Sequence, residues 1–460
     1  MAREAPEAVH SASSTRPDAG SAPPVPARPM EYVRAVGPGL LASMAWLSAG
    51  DLVSASVSGS TYGYALIWAL VMALFARFFF VSAIGKYVLC NRLQDISILA
   101  GFARLWRGLP LVVSVIAFIL GFTYQTYIIK GAATAVYNLL GNVGDSPWGV
   151  FVVAVLLVGI TIVMLWRGNQ YTTLETIAKV SVGILVLTFM AAVLINGFDV
   201  AAFVRGLVFQ VPPDTEGAFG AMVILASIVG AVGGSAANLL YPYFAEDKGW
   251  TTPAYRRLQI FDLLVGILAM VVINLSVWIV AAETLGGSGI AIREAGDLAL
   301  MMGRGIGALG PLLMWTGLFF VTFTTFPAYS FGFTKVLLDG VQRSFPGGLE
   351  SSEIPDPATH RAFKAIQIGL LLILPLLFSL PAAPNFIALT IMGTAMGAVT
   401  APIIIVGVIV LTTSRKFMLP EYVNKWWETL ALVVIGGIGI WATSEVVAGF
   451  MSLNGGPPGP

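Results

Sequence analysis

The chain runs to 460 residues, 57% hydrophobic and 11% charged, with a net charge of +1 and a mean hydropathy of +0.85. A soluble globular domain spends about a quarter of its residues on charge, so an ordinary water-exposed enzyme is excluded, and near-neutrality excludes a nucleic-acid footprint. Cys90 is the only cysteine, and His10 and His360 are the only histidines, which excludes a disulfide framework, a Cys-based metal cluster and a histidine proton relay.

Residues 1–34 read as a disordered cytoplasmic tail, rich in Ala, Pro and Ser and without the apolar core of a secretory signal. Beyond it, apolar runs of the length needed to cross hydrocarbon recur without a polar module between them. They fall near 36–58, 62–87, 110–137, 148–166, 174–196, 217–245, 258–282, 305–338, 361–380, 385–412 and 427–449. The expected fold is therefore an all-α integral membrane protein of eleven helices.

Lys and Arg avoid translocated loops. With the N-terminus inside, the outer loops hold only Arg205, Arg293 and Arg304, and Arg77 and Lys130 fall within spans, which leaves 20 of the 25 on the inner side. This predicts a cytoplasmic-membrane protein with its C-terminus outside. Trp106, Trp148 and Trp250 read as interfacial anchors.

Two spans carry break signals. The first reads Leu47-Ser48-Ala49-Gly50-Asp51 inside an apolar run, and the sixth reads Gly230-Ala231-Val232-Gly233-Gly234-Ser235-Ala236-Ala237-Asn238. Broken helices at mid-depth survive where they face a cavity, and they head the two halves of an inverted-repeat transporter plan. This predicts a 35–197 repeat of helices 1 to 5, a 217–412 repeat of helices 6 to 10, and an extra helix at 427–449. Close helix packing on the glycines is the competing reading.

The stretch from Gly37-Pro38-Gly39-Leu40-Leu41 through Tyr62-Gly63-Tyr64-Ala65-Leu66-Ile67-Trp68 resembles the first helix of the Nramp divalent-metal transporters. The likeness continues in Lys86 to Asp95, in the Ala401-Pro402 turn and in Thr412 to Met418. The resemblance implies a LeuT-like 5+5 inverted repeat. In that family the first helix carries Asp-Pro-Gly-Asn and the sixth Met-Pro-His. The matching residues here are Ser48-Ala49-Gly50-Asp51 and Gly234-Ser235-Ala236, so the thioether is absent and the amide position has become the acid. By the same resemblance Ala45 and Ala231 supply carbonyls.

The implied metal site, Asp51 and Ser48 with Ser235, Gly234 and those carbonyls, is all oxygen, which suits hard Mg²⁺ or Mn²⁺ as cargo rather than soft metals. No cofactor is implied. The family's proton-path carboxylates on the third helix align with Phe118, Gln125 and Ile128, so weak or absent proton coupling is expected.

Arg77, deep in the second span, either snorkels or reaches Asp51. If it reaches Asp51, the site is neutral before cargo arrives, which favours a small zwitterionic or anionic solute. Tyr124, Gln125, Asn238 and Thr324 are further cavity candidates, and Gly50 and Gly233 are candidate hinges. Lys130 reads as an interfacial lysine, and Asp262 and Glu283 as solvated helix ends. No phosphate loop or nucleophile–base pairing supports an enzyme, whereas a channel-like pore is an alternative to a carrier. The expected surroundings are lipid and a small ion or solute, with no nucleic acid and a monomeric state.

Overall fold

The computed structural model describes residues 23–142, 146–166, 170–213, 219–233, 235–345 and 356–454. Most of the expected tail lies outside them, as does Gly234. Part of the tail is ordered: α1 (Pro29–Ala35) starts on a proline, and the Glu31 carboxylate accepts from Ala27 N at 2.8 Å and Arg28 N at 3.1 Å. Expected disorder fails there because Pro at the first turn and an acid at N3 nucleate a helix whatever the flanking composition.

The first span is two helices, α2 (Pro38–Trp46) and α3 (Ala49–Tyr62), bent by 54°. Then follow α4 (Ile67–Cys90), a short α5 (Ile98–Leu105), α6 (Leu109–Leu139), α7 (Gly149–Trp166), α8 (Gln170–Asn196) and a short α9 (Val200–Gly206). The sixth span is also interrupted. Helix α10 (Ala221–Ile228) passes into a π turn at Val229–Gly233, then a 3₁₀ turn at Ala236–Leu239, then α11 (Leu240–Asp247).

The remainder is α12 (Arg256–Leu285), α13 (Ala295–Ile306), α14 (Gly310–Ser344), α15 (Phe363–Ser379), α16 (Phe386–Gly397), α17 (Ala401–Thr413) and α18 (Trp426–Asn454). Helices α16 and α17 form one apolar span across a 3₁₀ turn at Ala398–Thr400.

Among the described residues nine helical runs are long and apolar enough to cross a membrane, and the bent α2–α3 pair makes a tenth. The eleventh expected span corresponds to α15, an apolar helix of 17 residues. Helix α12 packs along both halves of the first span and along α8, while α6 packs against α14, α15 and α16. The two broken spans are thus largely enclosed by other helices, and Trp46, Arg77, Tyr124, Tyr241 and Trp278 are among the largest fully buried side chains.

Two expectations about polar and aromatic residues are corrected. Asp262 is not a solvated helix end: it is 0% exposed, and its carboxylate accepts from Gly37 N at 2.9 Å, Gly39 N at 2.6 Å and Tyr241 Oη at 3.1 Å. The unpaired amides at the start of α2 need an acceptor inside the protein, and this carboxylate supplies it. Trp250 is no interfacial anchor but is buried and stacked on Tyr255. Lys130, read as interfacial, donates to the Pro384 carbonyl at 2.6 Å in the exposed connection between α15 and α16. Trp106, Trp148 and Glu283 are exposed, as expected.

The end of the bundle near Asp262 is laced by ion pairs. Lys248 meets Glu175 at 2.6 Å, Lys179 meets the same carboxylate at 2.8 Å, and Lys335 meets Asp247 at 2.5 Å. These contacts tie α11 to α8 and α14, which closes that end around the broken helices.

Candidate functional site

The break in the first span follows from a local sequence. Ser48 leaves helical geometry and caps α3: its Oγ accepts from Gly50 N at 3.0 Å, and its own N–H donates to Asp51 Oδ2 at 3.3 Å. This reciprocal Ser-x-x-Asp box satisfies amides that a break would otherwise strand in a low-dielectric interior. The carbonyl end of α2 is met from outside the helix, where Thr325 Oγ1 donates to the Met44 carbonyl at 2.7 Å. Trp46 Nε1 donates to the Ala237 carbonyl at 3.0 Å, so one broken span holds the other.

In the sixth span the π turn brings Gly230 against the Thr394 backbone, where a β-carbon would overlap the Thr394 carbonyl. Single π turns often mark functional sites because they re-aim carbonyls out of the helix axis. Ser235 Oγ caps the following 3₁₀ turn, accepting from Ala237 N at 3.2 Å.

Between these two breaks lies Arg77. Its Nη2 donates to the Ala231 carbonyl at 2.5 Å, its Nη1 reaches Met270 Sδ at 3.6 Å, and its guanidinium carbon lies 5.2 Å from the centre of the Trp46 ring. Nη1 also stands 3.9 Å from Asp51 Oδ1, and both side chains are wholly removed from solvent. The two carboxylate oxygens of Asp51 therefore have different tasks. Oδ2 closes the cap of α3, and Oδ1 has no hydrogen bond. Its nearest charge is the arginine.

Snorkelling of Arg77 is thereby excluded. Rings surround the pair: Tyr124 packs against Tyr127 and Tyr329, with centroids 6.1 and 5.9 Å apart. Such an enclosure is occluded and low in dielectric, so a charge placed in it without a partner is costly.

Ser48, Asp51, Ala231 and Arg77 thus come together, and Ala45 is buried in the last turn of α2. Other candidates do different work. Gln125 Nε2 donates to the Phe326 carbonyl at 2.9 Å, tying α6 to α14 next to Pro327. Thr324 bonds its own helix at the Phe320 carbonyl, 2.6 Å away, so it is the neighbouring Thr325 that meets the broken span. The one-residue difference is a matter of helical phase, about 100° per residue. Asn238 is buried within the 3₁₀ turn.

Gly50 is a point of close approach rather than free space: a β-carbon there would overlap Thr394 Cγ2 and lie 3.1 Å from Ser48 Oγ. Gly234 lies outside the described residues. A polar chain that sequence reasoning did not single out crosses three helices: Ser54 Oγ to Ser227 Oγ at 2.6 Å, and Ser227 Oγ to Thr394 Oγ1 at 2.7 Å. Its only sequence signal is the placement of small hydroxyls in otherwise apolar spans.

Comparison with known proteins follows the same geometry. The chain is similar in structure to a manganese transporter mutant from Eremococcus coleocola, with a TM-score of 0.72 and 16% identity, over 94% of this chain and 89% of that one. It is more distantly similar to MhsT in complex with L-phenylalanine (TM-score 0.56, 14% identity, 89% and 97% covered). The closed form of MHP1, a nucleobase-cation-symport-1 family transporter, also superposes (TM-score 0.53, 13% identity, 92% and 94% covered). At these identities the likeness shows a shared fold. No curated protein gives a significant sequence match. The pattern of the natural resistance-associated macrophage protein-like family matches residues 39–448. The chain belongs to the Nramp family of membrane transporters, which carry divalent metal as cargo and are not enzymes.

Proposed function

We propose that this protein is an alternating-access carrier of a hard divalent cation, Mg²⁺ or Mn²⁺, whose cargo exchanges with the Arg77 side chain. One observation carries the reading. Asp51 Oδ1 and the Ala231 carbonyl, on two different broken spans, converge on a single positive group, the guanidinium. Those are the oxygens that a cation held between the spans would use, and the arginine is a tethered cation occupying their place.

Ser48 adds a hydroxyl, and although Met270 Sδ also touches the guanidinium at 3.6 Å, oxygen donors predominate around it, which favours hard ions over thiophilic ones. A divalent ion and a guanidinium about 4 Å apart would repel by roughly 8 kcal/mol at an effective dielectric of about 20. Binding therefore requires Arg77 to withdraw, and its return on release keeps the empty site neutral. The family membership and the manganese cargo named for the Eremococcus coleocola relative support the same cargo class.

Helix α6 contains no Asp, Glu or His, so it offers no carboxylate or imidazole route, and we read transport as weakly coupled or uncoupled to protons. The 35–197 and 217–412 segments are read as the two repeats, 427–449 as an appended helix, and the protein as a monomer in the cytoplasmic membrane with its N-terminus inside.

A second reading has its own observation. Asp51 and Arg77 sit as fixed negative and positive poles inside a ring of Trp46, Tyr124, Tyr127 and Tyr329, which suits a small zwitterion bridging the two. Uptake into proteoliposomes separates the readings. For a divalent cargo, Asp51→Ala abolishes Mg²⁺ or Mn²⁺ uptake while Arg77→Gln preserves or increases it. For a zwitterion or anion, Arg77→Gln abolishes uptake of the solute. Undiminished cation uptake by Asp51→Ala refutes the first reading.

A further inference from the structure

Away from the broken spans, a pocket of about 230 Å³ opens where α4, α12 and α18 meet. Its polar side is formed by Ser82 and Lys86 near the end of α4, Arg256 at the start of α12 and Glu428 in the first turn of α18. All lie at one end of their helices, on the side where Lys and Arg concentrate. Apolar residues of the same three helices line the rest of the pocket, among them Phe79, Ile260 and Leu432.

The charges in this pocket do not cancel. Glu428 is fully used: Oε1 takes Lys86 Nζ at 2.9 Å, and Oε2 accepts from Lys425 N at 2.7 Å. Among the described residues Arg256 makes no ion pair. It donates to neutral acceptors, the Ser82 carbonyl at 3.0 Å, Ser82 Oγ at 2.9 Å and the Gln259 side chain. A guanidinium has donors to spare beyond these, arranged in a fork that fits phosphate oxygens. Trp427 and Phe79 stand with ring centroids 6.1 Å apart on the pocket wall.

We propose that this pocket binds the phosphate of an anionic phospholipid from the adjoining leaflet, with Arg256 and Lys86 holding the headgroup and the apolar wall receiving the upper acyl chain. A guanidinium beside hydrocarbon needs a counter-charge, and an anionic lipid is the one anion that also satisfies the apolar wall. The site is independent of the cargo reading.

Native mass spectrometry of the full chain in detergent, with added phosphatidylglycerol or phosphatidylcholine, tests this. Phosphatidylglycerol should be retained in preference to phosphatidylcholine. Arg256→Gln should weaken that retention about fivefold, and Arg257→Gln at the exposed neighbouring position should not. Should Arg256→Gln fail to give folded protein, Ile260→Trp fills the pocket without altering charge and should also lose the lipid. Equal retention by Arg256→Gln and Arg257→Gln, or by Ile260→Trp and the unaltered chain, overturns the proposal. So does displacement of the lipid by inorganic phosphate at equal concentration, which would mark a soluble-anion site.

Discussion

Asp51 Oδ1 lies 3.9 Å from Arg77 Nη1, with neither side chain in contact with solvent, at the meeting point of two interrupted membrane helices. Removing one member of a buried pair strands the other, at a typical cost of about 3–5 kcal/mol. A double-mutant cycle with Asp51→Asn and Arg77→Gln should therefore give a coupling of about 1–3 kcal/mol in detergent unfolding, the double variant being more stable than the sum of the singles implies. Strict additivity would show that the two charges do not interact.

The contact between Gly50 and Thr394 predicts a compensating pair. A β-carbon at Gly50 overlaps Thr394 Cγ2, so Gly50→Ala should destabilise by about 1–3 kcal/mol through overpacking. Thr394→Ser removes that methyl and keeps the hydroxyl that meets Ser227, so it should restore much of the loss. A melting series of the unaltered chain, both singles and the double reads this directly. No rescue would place the cost of Gly50→Ala elsewhere.

Trp46→Phe keeps most of the ring and deletes the indole N–H, leaving the Ala237 carbonyl without that donor. The expected loss is about 1–3 kcal/mol, the desolvation cost of a buried unsatisfied acceptor. Because the bond joins the two broken spans, hydrogen exchange should rise in both Ala49–Tyr62 and Leu240–Asp247, not in the first alone. Faster exchange confined to the first span would remove Trp46 as the link.

Asp262 holds the first turn of α2 through two backbone amides, and Asp262→Asn weakens both bonds by removing the charge. A Ser43→Cys reporter in a Cys90→Ser background sits in α2 and is buried in the closed form. Its labelling by a membrane-impermeant maleimide from the Asp262 side should accelerate when Asp262→Asn is added. Unchanged labelling would mean that this carboxylate does not restrain α2.

The positions of the breaks were legible because their cause is local. The Gly-rich run at 230–234 and the Ser48–Asp51 stretch interrupt apolar spans, and Ser-x-x-Asp is itself a capping box that the chain could have announced without any relative. What the sequence withheld was tertiary. Arg77 could have snorkelled or paired, and its rotamer was decided by the Ala231 carbonyl, 154 residues away in the chain. Asp262 looked solvated because it sits near a helix end, yet the amides it serves belong to a helix 223 and 225 residues earlier. Thr324 and Thr325 are adjacent and chemically identical, so only helical phase against α2 distinguishes the one that reaches it from the one that does not.

One consequence of the Asp262 clamp concerns electrical insulation. With the Gly37 and Gly39 amides both engaged by a carboxylate from α12, the first turn to dip below the headgroups has no need of hydration. A turn whose amides are met this way draws no water of its own into the seam, so at this point the fold adds nothing to a leak across the bilayer that houses it.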